Sequence, residues 1–394
     1  MKKTCINMMV LMLFTGTLYS VIPHSNRTWI RVGSLQTPID AWGAERGHDA
    51  NLDIYQGLIW PAWFSRSDNF VIDRQYMACR DFITPEGQLQ GFKSTRFTTT
   101  ADQSQLIPQM LEQVGKYPYC EITVDGRKQY YEDYLNENIE PDLPSDRIVT
   151  NIIRTGLGVT MTRTIYAFSQ QYHDNYFIYE YTFENTGHIN DDPDPKIFNE
   201  IKDFYFGRVS RYATSREMST VANLRQGGWG AHQWVHHTPM KDDPPLPYYY
   251  TWLGQAKTSD ISMDYDNIGV PVLPAEASYP SARIRSPQFG GMAVLHADKA
   301  WNNPNNDNNK VRLGWYYSGN TPPEGADQQV WLFLNDNYND FGTFDVAQDE
   351  YAGHQIADRL APYTVIQGNQ SGTSGYFSFG PYDIPHGESV KVVI

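Results

Sequence analysis

Charge is scarce in this 394-residue chain: Asp, Glu, Lys and Arg together make up 19%, against roughly 25% in an ordinary soluble domain. That scarcity excludes a coiled coil and a disordered acidic tail. Cysteine is rare too, three in all, with no CxxC and no CxxCH, so nothing supports a structural zinc site or an attached haem. No apolar run reaches the roughly 20 residues that cross a bilayer, and no membrane span is expected. GxSxG, a Walker loop and a GxGxxG turn are all missing. Their absence lowers serine-hydrolase, nucleotide-dependent and dinucleotide-dependent chemistry, but leaves glycosidases and polysaccharide lyases, whose residues are dispersed along the chain.

Aromatics take the place of the missing charge. Trp, Tyr and Phe form 14% of the chain, alongside 24 Pro and 30 Gly, the composition of a globular, turn-rich, β-dominated protein. Residues 1–20 stand apart: Lys2 and Lys3, the apolar run Ile6 to Phe14, then small and polar residues to Ser20. This is the layout of a secretory signal peptide with cleavage near Ser20, and it places the mature protein in the secreted fraction or at the cell surface. Without the leader the balance is 29 basic against 45 acidic residues, a net charge of −16. A field of that sign repels phosphate backbones, so no nucleic-acid partner is expected. Cys79 and Cys120 remain. They are either a disulfide, adding about 3–4 kcal/mol in an oxidising compartment, or two separate buried thiols.

Period-two alternation dominates the mature chain. From Tyr176 to Glu184, Phe177, Tyr179, Tyr181 and Phe183 share one face while Glu180, Thr182 and Glu184 share the other, the pattern of a half-buried strand. Val159 to Phe168 precedes it across a polar stretch, and the two read as an antiparallel hairpin. Further strands are expected at Arg147 to Ile153, Phe204 to Val209, Gly291 to His296, Val311 to Tyr317, Gln329 to Leu334 and Ser389 to Ile394. Leu106, Ile107, Met110, Leu111 and Val114 recur at helical spacing before Gly115, which predicts one short helix. The fold class is therefore all-β: an antiparallel β-sandwich, one enlarged sandwich or two in tandem, with one short helix.

The acidic, proline-bearing stretch Glu137 to Asp146 suggests a division into a β-rich region 21–140 holding the helix and a β-sandwich region 141–394. The Asn-rich stretch from Asn302 to Asn309 reads as a long exposed loop. The run Val390 to Ile394 stops on uncapped hydrophobics, and a chain continuing beyond Ile394 is expected.

Arg163-Thr-Ile-Tyr-Ala-Phe-Ser169, Asn175 to the Asn185-Thr-Gly187 turn, Ser286 to Phe289 with Leu295 to Lys299, and Gly380 to Val390 resemble segments of large, uncharacterised, secreted β-rich proteins of Bacteroidetes-like bacteria. The resemblance covers about half the chain in separate blocks. It implies secretion and a C-terminal sorting module further on, and supplies no catalytic residues. Where such proteins continue into an acidic strand, this chain has Phe204-Tyr-Phe-Gly-Arg-Val209, so no metal role carries over.

The densest constellation runs from Gly227 to Trp252, with Trp229, Trp234, Tyr248, Tyr249, Tyr250 and Trp252. Flat aromatic faces stack on sugar rings or apolar side chains while indole and phenol groups reach polar edges. The same residues would equally serve as alternating core residues of one or two strands. His232 and His236 are four apart, but Gln233, Trp234 and Val235 between them exclude HExxH. Asp264, Asp266 and Asn267 offer alternating oxygens for a structural calcium, as do Asn335 to Asn337 with Asp340, and Asn190 to Asp194. Turn formation by Asp and Asn explains each cluster without an ion, and no other cofactor is implied. Two functions follow. One is an exported non-catalytic β-sandwich that contacts polysaccharide or a surface protein through exposed aromatics. The other is a carbohydrate-active enzyme, a glycoside hydrolase or polysaccharide lyase, with its cleft near residues 227–265.

Overall fold

The hairpin read from alternation lies at the centre of an all-β architecture. The computed structural model describes residues 22–23, 26–43, 45, 57–62, 69–97, 105–118, 122–124, 127–129, 138–212, 233–238, 245–253, 289–317, 326–335 and 373–394; the leader at 1–20 lies outside them. The strands in chain order are β1 (Arg27–Arg31), β2 (Gln36–Asp40), β3 (Phe70–Ile83), β4 (Leu89–Phe97), β5 (Leu106–Gly115), β6 (Ile122–Val124), β7 (Arg127–Gln129), β8 (Asn138–Ile139), β9 (Arg147–Thr155) and β10 (Val159–Ala167). They continue with β11 (Phe177–Asn185), β12 (Ile201–Tyr212), β13 (Gln233–His237), β14 (Tyr248–Leu253), β15 (Gly290–Ala293), β16 (His296–Ala300), β17 (Asn303–Asn306), β18 (Val311–Tyr317), β19 (Thr373–Ile384) and β20 (Ser389–Val393).

Two sheets carry the core. The larger has the order β17-β16-β20-β11-β10-β9-β5-β8, and the smaller β18-β19-β12-β3-β4. Their pairings are antiparallel, apart from the two-residue β8 beside β5. Strands from both sides of residue 140 share each large sheet, β5 beside β9 and β3 beside β12. The inner faces meet in one continuous core that includes Val149, Ile153, Met161, Ile165, Phe183, Phe204, Phe206, Phe377 and Phe379. Tyr179, Tyr181 and Phe183 form a ladder along β11 with ring centroids 6.2 and 6.1 Å apart, and Phe206 reaches it from the facing sheet at 4.7 Å. Alternation therefore means here what it means in any sandwich: one face of each strand lies between the sheets.

The helix sits elsewhere than expected. Leu106 to Val114 is strand β5, and the helix among the described residues, α1 (Asp327–Leu334), occupies the stretch that was predicted as a strand. β5 carries a register shift between Pro108 and Met110, which breaks its period of two and mimics helical spacing. In α1, Val330, Trp331, Phe333 and Leu334 are buried, the i, i+1, i+3, i+4 set of a helix face. They cover the outer face of the smaller sheet against Tyr76, Ala78, Tyr205, Val209 and Tyr376. Gly207 makes room there, since a Cβ would stand 2.2 Å from Leu334 Cδ2. The asparagine-rich stretch expected as a loop also contains a strand: Asn303–Asn306 pairs with β16 at the sheet edge, where polar side chains suit one-sided pairing.

The hairpin β1-β2 leads into Ala41 to Gly43, which with Glu45 enter between the two sheets. Gly43 marks the insertion. Its φ is +92°, and a Cβ would lie 2.7 Å from Ile153 Cδ1 and 2.8 Å from Phe97 Cδ1, one on each sheet. Gly43→Ala is expected to cost about 1–3 kcal/mol through strain and overpacking, measured by urea denaturation. Gly87→Ala, also at positive φ but with no atom within 4 Å, is the matched control and should cost less; equal losses would refute the packing argument.

Candidate functional site

The inserted segment needs polar partners, because backbone carbonyls buried between sheets lose water. Those partners come from both inner faces. Gly43 O accepts from Arg163 Nη1 at 2.7 Å and from Gln75 Nε2 at 2.9 Å. Ala41 O accepts from Asn151 Nδ2 at 2.8 Å, and Arg163 Nη2 donates to Asn151 Oδ1 at 3.2 Å. Register explains the grouping. On the larger sheet Asn151 and Tyr181 stand directly opposite Arg163 on its two neighbouring strands, and on the smaller sheet Gln75 stands opposite Arg208 and Asp73 opposite Ser210.

The Glu45 carboxylate lies between the two arginines. Its Oε1 is 2.9 Å from Arg208 Nη2 and 3.9 Å from Arg163 Nη1. Arg208 Nε donates to Asp73 Oδ1 at 2.9 Å, Ser210 Oγ donates to the same oxygen at 3.0 Å, and Arg208 Nη1 donates to Tyr181 OH at 3.4 Å. The Arg208 guanidinium also lies 4.5 Å over the Tyr179 ring. Two cations and two carboxylates thus form a buried set whose charges cancel. Burial pushes Glu45 above its ordinary range while Arg208 opposes the shift. Burial alone would lower Arg208, but Asp73 and Glu45 hold it well above its ordinary value. The Tyr179 hydroxyl also favours the ionised Glu45, without reaching hydrogen-bond geometry with Oε2.

Above this set opens a cavity of about 650 Å³, within the range of small-ligand pockets. Arg208 and Glu45 contribute to its lining, with Tyr179 and Tyr212 on the sheets. One wall is Trp60, held by its Nε1 donating to Asn175 Oδ1 at 2.6 Å, together with Leu58 and Asn69. Another part of the lining comes from the three-stranded sheet β13-β14-β15. Tyr248 and Tyr250 stack there with centroids 6.2 Å apart, and Phe289 meets Tyr250 edge-on at 6.1 Å. Tyr249, between them, turns into the core and packs on Phe377 at 5.1 Å. It fits because Gly375 has no side chain: a Cβ would be 2.5 Å from the Tyr249 ring. The rim is apolar and exposed at Phe289, Leu295 and Tyr176.

Of the residues singled out from sequence, Tyr248, Tyr249 and Tyr250 line this cavity. Trp234 and Trp252 face each other across β13 and β14, and His236 and His237 stand opposite Tyr250 and Tyr249; the side chains of these four are outside the described structure. Trp229, His232, Asp264, Asp266, Asn267 and Cys120 lie outside the described residues. Cys79 is buried and burial raises its thiol far above the ordinary range. In Asn190 to Asp194 the side chains of Asn190 and Asp192 accept from backbone N–H groups two residues on, both at 3.0 Å, as turn formers. Among the described residues no group of three or more His, Cys, Asp or Glu side chains is placed to hold a metal, and no helix is long and apolar enough to cross a membrane. Sequence reasoning missed Glu45, Trp60, Asn69, Asn175 and Arg208. Each is a lone residue in a separate segment, whereas the aromatic run marked Tyr248 to Tyr250 and strand alternation marked Tyr176 to Tyr179.

Removing one partner from a buried ion set strands the others, so Arg208→Met is expected to lower stability by about 3–5 kcal/mol, seen as a reduced urea midpoint at unchanged slope. A loss below 1 kcal/mol would mean that the set contributes nothing. The raised Glu45 pKa also fixes a pH trend. Just above pH 4.5 the folded state retains a proton that the unfolded chain has released, so this contribution to stability is full below 4.5 and is lost as pH rises through the folded value. Glu45→Gln lacks it; the wild-type melting temperature minus that of the variant should fall as pH is raised from 4.5, and a rise would contradict the assignment. No protein-family model and no curated protein sequence matches the chain.

Proposed function

We propose that this is an exported β-sandwich protein that binds a glycan in the aromatic cavity between its sheets and does no chemistry on it. The observation that carries the reading is the lining itself: Trp60, Tyr176, Tyr248, Tyr250 and Phe289 around a concavity of about 650 Å³. Sugar rings present apolar C–H faces and polar edges, and aromatic walls with a few polar groups in the lining match both. A concave site of this size takes a chain end or short oligosaccharide rather than a polymer laid across a flat strip. The leader pattern of residues 1–20 and the resemblance to secreted β-rich proteins support action outside the cell, where glycans are plentiful.

Catalysis fits the described lining less well. Glycoside hydrolysis uses two carboxyl groups flanking the scissile bond, whereas the described lining supplies one acid, Glu45, already paired with Arg208. Lyase chemistry needs a tyrosine or histidine able to take a proton near neutral pH. The described lining holds no histidine, and burial raises its Tyr179, Tyr212 and Tyr250 above their ordinary values.

The test is calorimetric titration of the mature protein with neutral, acidic and basic oligosaccharides, paired with an assay for new reducing ends and unsaturated products. Binding without product is expected. Tyr250→Ala and Trp60→Ala should each weaken affinity about tenfold, or about 1.4 kcal/mol. Binding to no glycan would sink the reading, and product formation would turn it into an enzyme.

A further inference from the structure

Resting on the glycan reading, we infer that the cavity selects a neutral, hydroxyl-bearing sugar end over acidic or amino sugars. The inference comes from the polar lining. The charged residues of the described lining are one acid and one base, Glu45 and Arg208, and they are bonded to each other at 2.9 Å. Arg208 spends its Nε on Asp73, its Nη2 on Glu45 and its Nη1 on Tyr181, and its flat face lies over the Tyr179 ring. A carboxylated or sulfated sugar therefore meets a guanidinium that already gives three of its five N–H groups to Asp73, Glu45 and Tyr181 and whose charge is matched by the Glu45 carboxylate beside it. An ammonium sugar meets a carboxylate already neutralised, next to a guanidinium. Neither ligand charge gains a partner that would repay its desolvation.

Beside the ion pair the polar lining holds two acceptor oxygens that lack a hydrogen-bond partner, both themselves buried. Asn69 lines the cavity and is 5% exposed. Its Nδ2 donates to Trp60 O at 3.1 Å, while its Oδ1 has no partner. Glu45, 1% exposed, likewise keeps Oε2 without a partner. Buried acceptors left unmatched are costly, and a donor brought by a ligand removes that cost. Hydroxyl groups bring such donors with no charge. A purely apolar ligand of the same shape would fill the aromatic walls and leave both oxygens unmatched.

Titrations of the mature protein with cellohexaose, hexagalacturonate and a chitosan hexamer, at equal ionic strength, separate the possibilities. The neutral oligomer should bind at least tenfold more tightly than either charged one. Equal or tighter binding of a charged oligomer overturns this inference and leaves the glycan reading standing; no binding by any oligomer of the wider panel overturns both. Two variants read the polar lining directly. Glu45→Gln removes one negative charge beside Arg208 and should raise hexagalacturonate affinity relative to cellohexaose. Asn69→Asp adds one negative charge and should raise chitosan affinity relative to cellohexaose. A merely structural role would weaken all three ligands alike, and that outcome in both variants overturns the inference. Should Glu45→Gln fail to fold, Asn69→Asp alone decides, because Asn69 is outside the ion set.

Discussion

The structure turns on one interaction, the Glu45 carboxylate held between Arg208 and Arg163 inside a β-sandwich. A chain segment that enters between two sheets brings peptide groups into a space that ordinarily holds only side chains. Ala41 and Gly43 do so, and their carbonyls are accepted only because Asn151, Arg163 and Gln75 stand at matching positions on the two inner faces. Each arginine would be prohibitively costly to bury alone. With Glu45 and Asp73 the four charges cancel, and the inserted segment becomes the polar layer joining the sheets. Such a set adds little net stability compared with a hydrophobic one. What it does fix is position: Arg208 is bonded to Asp73 on its own sheet, to Tyr181 on the facing sheet and to Glu45 on the inserted segment.

The cavity opens beside that layer, and buried rings of the same core, Phe70, Tyr212 and Tyr249 among them, bound it. The aromatic excess is thus one ladder with two environments. Phe183 and Tyr181 are wholly buried against Phe206, while Tyr179 and Phe177, two and four residues earlier on the same face, line the opening. In β14 the same division occurs within three consecutive residues. Tyr249 is locked into the core by Gly375 and Phe377, which leaves Tyr248 and Tyr250 on the other face of a short strand. Strand periodicity converts one run of three tyrosines into one anchor and a stacked pair.

Much of this architecture was legible in the sequence where alternation was clean. β9, β10, β11 and β18 lie within two residues of their expected limits, and in the first three one face is buried along the strand. Legibility failed where both faces of a segment are covered. β5 buries Leu106 through Gln109 consecutively and shifts register there, and the six residues Gln329 to Leu334 within α1 are too short an apolar run for a period to distinguish helix from buried strand. The site was less legible than the fold. Tyr248 to Tyr250 stood out by composition, but Glu45, Asn69 and Arg208 are single polar residues in three segments. What brings them together is register between sheets and a loop insertion, neither of which leaves a local pattern.

The size of the cavity argues that it is a site rather than a flaw in packing. A dry void of about 650 Å³, at about 24 cal/mol per Å³, would cost about 15 kcal/mol, as much as the whole net stability of a typical domain. The space must therefore be open to water, as the exposed rim at Phe289 and Leu295 indicates. Being wet, it forfeits the burial of several aromatic faces, each worth about 1.5–3 kcal/mol when fully covered. Rearranging a few side chains would recover much of that area if the sheets were free to close. They are held apart by the segment at Gly43 and by the ion set beneath the opening, so rigidity of the polar layer is what keeps the aromatic walls available. A ligand with an apolar face recovers the forfeited burial without any movement of the sheets.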